Sequence, residues 1–341
     1  MSAVVGVAGF ILAGTYPEQD PAGGLESVLQ LFSHGEDAGF QVAGIRQRHL
    51  ERGVSSALPF LAAAAQRTAH IRLETDVVPL GHETPFRLAE DVATVDALSG
   101  GRLEAGISTA TPHAELLAPL ARPAQTEEPD RYALIDRFLL ALEGRPLAEE
   151  ALQTPYGPQI PRVQPHVPGL RDRIWLGGSS ERSIRWAADR GLRLLLGNIT
   201  AGDGSRSFED TQRAQIDDYL SRFAGSDPAV GVERVIVPVE GASPAQRAHY
   251  RAYAESREER TTRPAAIGGR SVLFQRDLIG SADEIVDRLA ADPSFDGGTQ
   301  LRIALPYGFA SDEYRQILSA IADTVLPALG WRPRAAEPIA A

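Results

Sequence analysis

Short apolar runs of four to eight residues alternate with amphipathic helical stretches from one end of the chain to the other. That alternation constrains the fold more than any single motif does. Residues 4–10 (VVGVAGF), 40–45 (FQVAGI), 71–78 (IRLETDVV), 102–107 (RLEAGI), 173–176 (RIWL), 192–196 (LRLLL), 234–239 (RVIVPV) and 301–306 (LRIALP) read as strands. Between the first two, Leu25, Val28, Leu29 and Phe32 fall at i, i+3, i+4 and i+7, which is helical spacing. Residues 58–67 read as a second helix, and Leu88, Val92 and Val95 give a third its apolar stripe, with Thr84 as N-cap, Pro85 behind it and Gly100-Gly101 as the stop. Ser281 to Glu284 is a capping box, and Ser311 starts a last helix that ends near Pro327. Strands buried on both faces and separated by helices belong to a parallel sheet covered by those helices. Eight such units predict a single α/β domain over residues 1–330, a TIM-type (β/α)8 barrel, with a doubly wound open sheet as the alternative.

Two connections are too long for turns: 108–129 after the fourth strand and 240–270 after the seventh. In a barrel both insertions lie on the C-terminal face, where they are lid candidates. The Pro-rich stretch 154–169 reads as an ordered arm and residues 331–341 as a flexible C-terminal tail.

Several chemistries are excluded by what the 341 residues lack. Without cysteine there is no disulfide, thiolate zinc site or Cys nucleophile, and without lysine there is no Schiff base. The seven histidines form no His-x-His or His-Glu-x-x-His, so no metal site is expected, and no Gly-x-Ser-x-Gly elbow occurs. A net charge of −11 disfavours nucleic acid and anionic membranes as partners. The apolar N-terminal run has no arginine before Arg46, which suits a buried first strand better than a signal peptide, and no run reaches membrane-spanning length. A cytoplasmic protein is expected.

One turn carries a specific chemical suggestion. In DRIWLGGSSERSIRWAADRG (172–191) a short strand meets Gly177, Gly178, Ser179 and Ser180 and opens a helix. Unpaired backbone N–H groups and the positive dipole end make such a place receptive to an anion, often a phosphate. The same residues also suit an ordinary Ser-capped helix. Glu74 and Asp76, two apart on a strand, share a face as a carboxylate pair.

Five stretches together resemble the bacterial luciferase-like flavin-dependent monooxygenase superfamily. They are GFQVAGIRQRHL (39–50), LPFLAAAAQRTAHIRLETDVVPL (58–80), PFRLAEDVATVDALSGGRLEAGIS (85–108), PHVPGLRDRIWLGGSSERSIRWAADRG (165–191) and DLIGSADEIVDRL (277–289). Within it the chain is most similar to FMN-dependent oxidoreductases of actinobacterial type. The resemblance implies a (β/α)8 barrel, reduced FMN supplied by a separate flavin reductase, molecular oxygen and a small organic substrate. It also implies a homodimer, or a heterodimer with a related subunit. The FMN phosphate would sit on Gly177, Gly178, Ser179, Ser180 and Ser183, and the ring would lie against Thr75, Asp76, Ser108 and Thr109.

The chain departs from the family pattern at telling places. A family His is replaced by Arg48 in Gln47-Arg48-His49-Leu50, leaving His49 as the proton shuttle. Arg48 would hold an anionic group, or is a surface Arg at a loop entrance. Glycines usual on the third strand and after the fourth become Glu74, Asp76, Ser108 and Ala110. Asp76 would repel an anionic reduced flavin, so the pocket is expected to be narrowed, reshaped or lost. Three functions follow: an FMN-dependent monooxygenase with His49 and Arg48 as catalytic residues, a hydride-transfer enzyme using a deazaflavin coenzyme, or a non-catalytic partner subunit without flavin.

Overall fold

Eight parallel strands close on themselves: β1 (Ala8–Leu12), β2 (Val42–Ile45), β3 (Arg72–Pro79), β4 (Leu103–Ser108), β5 (Trp175–Gly177), β6 (Arg193–Leu196), β7 (Val230–Arg234) and β8 (Thr299–Ala304). Each pairs with the next, and β8 returns to β1 with Ala8 opposite Leu301. This computed structural model describes residues 5–117, 130–267, 269–295 and 298–333. The strands are wrapped by α1 (Pro21–Asp37), α2 (Ala57–Ala65), α3 (Pro85–Leu98), α4 (Arg131–Leu142), α5 (Glu181–Asp189), α6 (Phe208–Arg222), α7 (Pro244–Glu258), α8 (Ala282–Ala291) and α9 (Ser311–Ala320). The closed sheet excludes the doubly wound alternative. Helix starts follow their local chemistry: Pro85 opens α3, and the Ser281–Glu284 capping box closes on itself at α8.

Several boundaries differ from the sequence expectation, the first strand among them at 8–12 rather than 4–10. The seventh barrel strand is 230–234 rather than 234–239, and Ile236–Pro238 instead pairs with Leu278–Gly280 outside the barrel. The adjacent charges of Glu233 and Arg234 made the apolar run look as if it began later, yet both are buried. Glu233 faces inward to Arg46, and Arg234 is held by Asp292, Gln212 and Ser294. The long connection 240–270 is largely regular structure: α7, then Ala265–Ile267 in an antiparallel sheet with Arg270–Phe274 and Ile199–Ala201. Trp331, expected as the first residue of the tail, has its ring buried near Phe40, and its Nε1 donates to Gln41 Oε1 at 2.8 Å. Of the other long connection, 118–129 lie outside the described residues, as do 334–341 of the tail. The arm begins within a hairpin of Leu152–Thr154 with Gly157–Gln159.

Alternate residues of the strands point into the barrel, and many of them are charged. Arg302 and Glu74 are both fully buried in the barrel, joined by two guanidinium nitrogens at 2.9 to 3.2 Å from the carboxylate oxygens. The Arg302 guanidinium lies 5.4 Å from the centre of the Trp175 ring. Below it, Glu104 accepts from Arg72 at 2.7 Å and from Arg193 at 3.1 Å. Room for these side chains comes from glycine. A Cβ at Gly231 would stand 2.7 Å from Leu195 and 3.6 Å from Trp175, and one at Gly44 3.0 Å from Ile11.

Removing one partner from a buried ion pair strands the other charge, which typically costs about 3–5 kcal/mol. Arg302→Leu is therefore expected to destabilise the protein by an amount of that order in urea unfolding, with Arg302→Met plus Glu74→Leu recovering part of the loss. A loss of less than about 1 kcal/mol in the single variant would show that Glu74 finds another partner or a proton at little cost.

Candidate functional site

The C-terminal ends of β2 to β5 bring the sequence-predicted residues to one rim of the barrel. β3 bulges there: its pairing with β4 shifts register between Thr75 and Val78, and the Asp76–Val77 peptide is cis. Gly106 and Gly177 accommodate the bulge. A Cβ at Gly106 would stand 2.2 Å from the Thr75 carbonyl oxygen, and one at Gly177 2.9 Å from Val77 Cγ1. Thr75 is completely buried and donates to the Gly106 carbonyl at 2.7 Å, so its hydroxyl serves the strand pair. Ser108 is buried at the end of β4 with its Oγ 3.4 Å from the Ala110 amide, and the Thr109 carbonyl accepts from Arg131.

The turn from β5 into α5 has the form its sequence suggested. Ser180 is the N-cap, its Oγ accepting from the Ser183 amide at 3.2 Å. Ser183 is buried beneath it, donating back to the Ser180 carbonyl at 2.9 Å. Gly178 is required here, since a Cβ would stand 2.6 Å from Ser183 Oγ. Gln215 of α6 fixes the outer edge by donating to the Ser179 carbonyl at 3.0 Å, and its own Oε1 accepts from Thr200. The turn thus presents half-buried Ser179 and Ser180 above the first-turn amides of α5. The Glu181 carboxylate pairs with Arg185 one turn along the helix, which in turn binds Asp218 at 2.9 Å.

Across the mouth, Arg46 reaches from the end of β2 to two carboxyl groups. Its Nη1 lies 3.2 Å from Asp76 Oδ2 and its Nη2 2.5 Å from Glu233 Oε2. Burial first, then the neighbouring Glu233 carboxylate, pushes the Asp76 carboxyl well above the usual range, against the pull of Arg46. Glu74 is shifted the same way, by burial first, with Arg302 opposing. The repulsion that the sequence position of Asp76 suggested is correspondingly reduced.

Arg48 and His49 diverge after β2. Arg48 donates to the Tyr307 hydroxyl, with its guanidinium 5.2 Å from the centre of the Tyr307 ring. Both line a cleft of about 550 Å³ with Thr15, Tyr16, Glu51 and Phe309, over the ends of β1, β2 and β8. His49 turns toward His82, ring centres 5.3 Å apart. The Gln47 Oε1 accepts from the Ala57 amide at the start of α2, so its Nε2 is the donor facing Glu83 at 3.3 Å and His49 Nε2 at 3.2 Å. His49 Nε2 is then an acceptor, and the neutral ring carries its proton on Nδ1. Burial, with His82 and His113 nearby, lowers the His49 pKa from the ordinary imidazole value.

Sequence reasoning missed Arg46, Glu233, Tyr307 and Gln215. A signal existed for the first two: a charge two residues past inward-facing Gly44, and another two past inward-facing Gly231. Among the described residues no group of three or more His, Asp or Glu side chains could hold a metal ion, and no helix is long and apolar enough to cross a membrane.

Comparison with known proteins gives one family and one fold. The family model described as luciferase-like monooxygenase matches residues 6–298. The monooxygenase RslO1 from Streptomyces bottropensis superposes with a TM-score of 0.69 at 18% identity, over 94% of this chain and 99% of that one. The oxygenating constituent of 3,6-diketocamphane monooxygenase from Pseudomonas putida, solved with FMN, gives 0.64 at 16%, over 96% and 99%. The coenzyme F420 dependent tetrahydromethanopterin reductase of Methanopyrus kandleri gives 0.63 at 16%, over 96% and 100%. In the curated sequence relatives the match is shorter, spanning 60% of YwcH of Bacillus subtilis, to which it is 23% identical over 61% of this chain.

The protonation of Asp76 can be read from stability. A carboxyl whose pKa is raised on folding stabilises the fold below its unfolded pKa of about 3.9 and loses that contribution as pH climbs through the folded value. Asp76→Asn removes this loss. Its melting temperature relative to wild type is expected to rise between about pH 4 and pH 8, by differential scanning fluorimetry. A difference that falls with pH would mean that Asp76 is ionised and held by Arg46.

Proposed function

The chain belongs to the luciferase-like monooxygenase family, and from that premise we propose that it is a flavin-dependent monooxygenase. It would use reduced FMN from a separate reductase, and molecular oxygen, to oxidise a small organic substrate. The observation that carries this reading is the β5–α5 turn, a Gly-Gly-Ser-Ser helix start shaped by Gln215 on the same rim as Arg46 and the cleft. Gly178, Ser179, Ser180 and the first amides of α5 suit a phosphate, with the helix dipole contributing on the order of 0.3–2 kcal/mol. FMN held there would supply two reducing electrons at the mouth. Arg46 would face it with a positive charge, and the raised Asp76 pKa supports tolerance of an anionic cofactor in place of the relic subunit.

The likeness to an F420-dependent enzyme keeps the deazaflavin reading as the second one. His49 supports proton movement under either. Its neutral form can take up a proton at Nε2 once the Gln47 amide turns away, and Arg48 beside the cleft is suited to stabilise a developing anion.

Binding tests this directly. FMN is expected to bind with a change in its visible absorbance, Ser179→Asp to weaken it strongly, and Ser179→Ala to cost about 1 kcal/mol. Equal FMN affinity for wild type and Ser179→Asp would reduce the turn to a helix cap. Tighter binding of F420 than of FMN, without oxygen consumption, would favour the second reading.

With a neutral His49 required and its pKa lowered, activity is expected to fall only as pH drops below the ordinary imidazole value of about 6.5. A pH–rate profile that falls on the alkaline side of that value instead would exclude His49 as the base.

A further inference from the structure

The cleft over β1, β2 and β8 lies on the arc of the rim opposite the β5 turn, since β5 and β1 are four strands apart in an eight-stranded ring. A cofactor anchored by its phosphate at that turn would point its other end across the mouth toward the cleft. The walls of the cleft therefore describe what meets it. They are aromatic: Tyr16, Tyr307 and Phe309. Phe309 is fixed from behind, stacked on Tyr250 at 5.4 Å and edge-on to Tyr253 at 5.2 Å, so this wall is rigid. Tyr307 leaves 42% of its surface open, an exposed ring beside a cation.

The polar side is Arg48. Its Nη2 is turned to the Tyr307 hydroxyl, while its Nε is buried without a hydrogen-bond partner. Glu51 stands 3.9 Å from that Nε, too far to satisfy it and near enough to repel a second negative charge. Arg52, also in the lining, leans outward to Glu18 at 3.6 Å on an exposed edge. A partly exposed guanidinium in an aromatic slot, guarded by a carboxylate, suits a monoanion that carries a ring. About 550 Å³ accommodates one or two rings.

We propose that the substrate is an aromatic carboxylic acid, its ring against Tyr307 and Phe309 and its carboxylate on Arg48. That it is a substrate rests on the monooxygenase reading; that it binds rests on the cleft alone. Calorimetric titration of the full chain with 1-naphthoate, 1-naphthamide, cyclohexanecarboxylate and phenyl phosphate tests it, with FMN titrated separately on the same preparation. The naphthoate is expected to bind about tenfold or more tighter than the amide, as befits a charge-assisted hydrogen bond, and tighter than the other two acids. Arg48→Gln should erase the preference for acid over amide, and Tyr307→Leu the preference for naphthoate over cyclohexanecarboxylate. Equal binding of acid and amide, no binding of naphthoate at millimolar concentration, or an acid preference that survives Arg48→Gln would overturn the proposal. If FMN fails to bind while naphthoate behaves as expected, the cofactor reading falls and the acid site stands; FMN binding without naphthoate binding has the opposite meaning.

Discussion

A guanidinium with no access to water sits inside this barrel, and much of the interior is arranged to neutralise it. Arg302 is fully buried, and an isolated charge there would be prohibitive. Glu74 answers it with a two-point contact and Trp175 with the face of its ring. That solution brings a buried carboxylate of its own, and Glu104 brings another, shared by Arg72 and Arg193. Long side chains then need space, which Gly44 and Gly231 supply. The barrel is filled by a polar lattice braced on one another's charges, where aliphatic layers would be the simpler filling.

The mouth is the top layer of that lattice. Arg46 bridges Asp76 and Glu233 from opposite sides of the ring. Across the interior, Arg46, Arg72, Arg193 and Arg302 face Glu74, Asp76, Glu104 and Glu233. With all eight ionised the set is neutral, and a proton held on Asp76 would leave one positive charge in excess. Arg46 stands at this mouth, and the β5 turn adds a helix dipole on the same side of the barrel. The absence of lysine fits this use of charge, because the bidentate contacts of Arg302 and the stacking of Arg48 need a planar fork.

The fold was legible in sequence because strand and helix periodicities are local. The Ser281 capping box and the Gly-Gly-Ser-Ser turn were legible for the same reason: their chemistry lies within four residues. The seventh strand was misplaced because Glu233-Arg234 looks like the edge of an apolar run, and only the partners on β2 and around Asp292 reveal those charges as interior. The same non-locality hid the candidate site. Asp76 looked repulsive when read with its neighbours in sequence, and burial in the barrel beside Glu233 of the opposite strand is what changes its meaning. Tyr307, which forms the cleft with Arg48, carries no motif and is brought there by closure of β8 onto β1.

A crystal structure of the protein soaked with FMN tests the central claim most directly. The account predicts the phosphate within hydrogen-bond distance of Ser179 or Ser180 and the first amides of α5, and the ring across the mouth above Arg46. Phosphate density elsewhere, or a ring excluded from the mouth by the Arg46, Asp76 and Glu233 side chains, would contradict it.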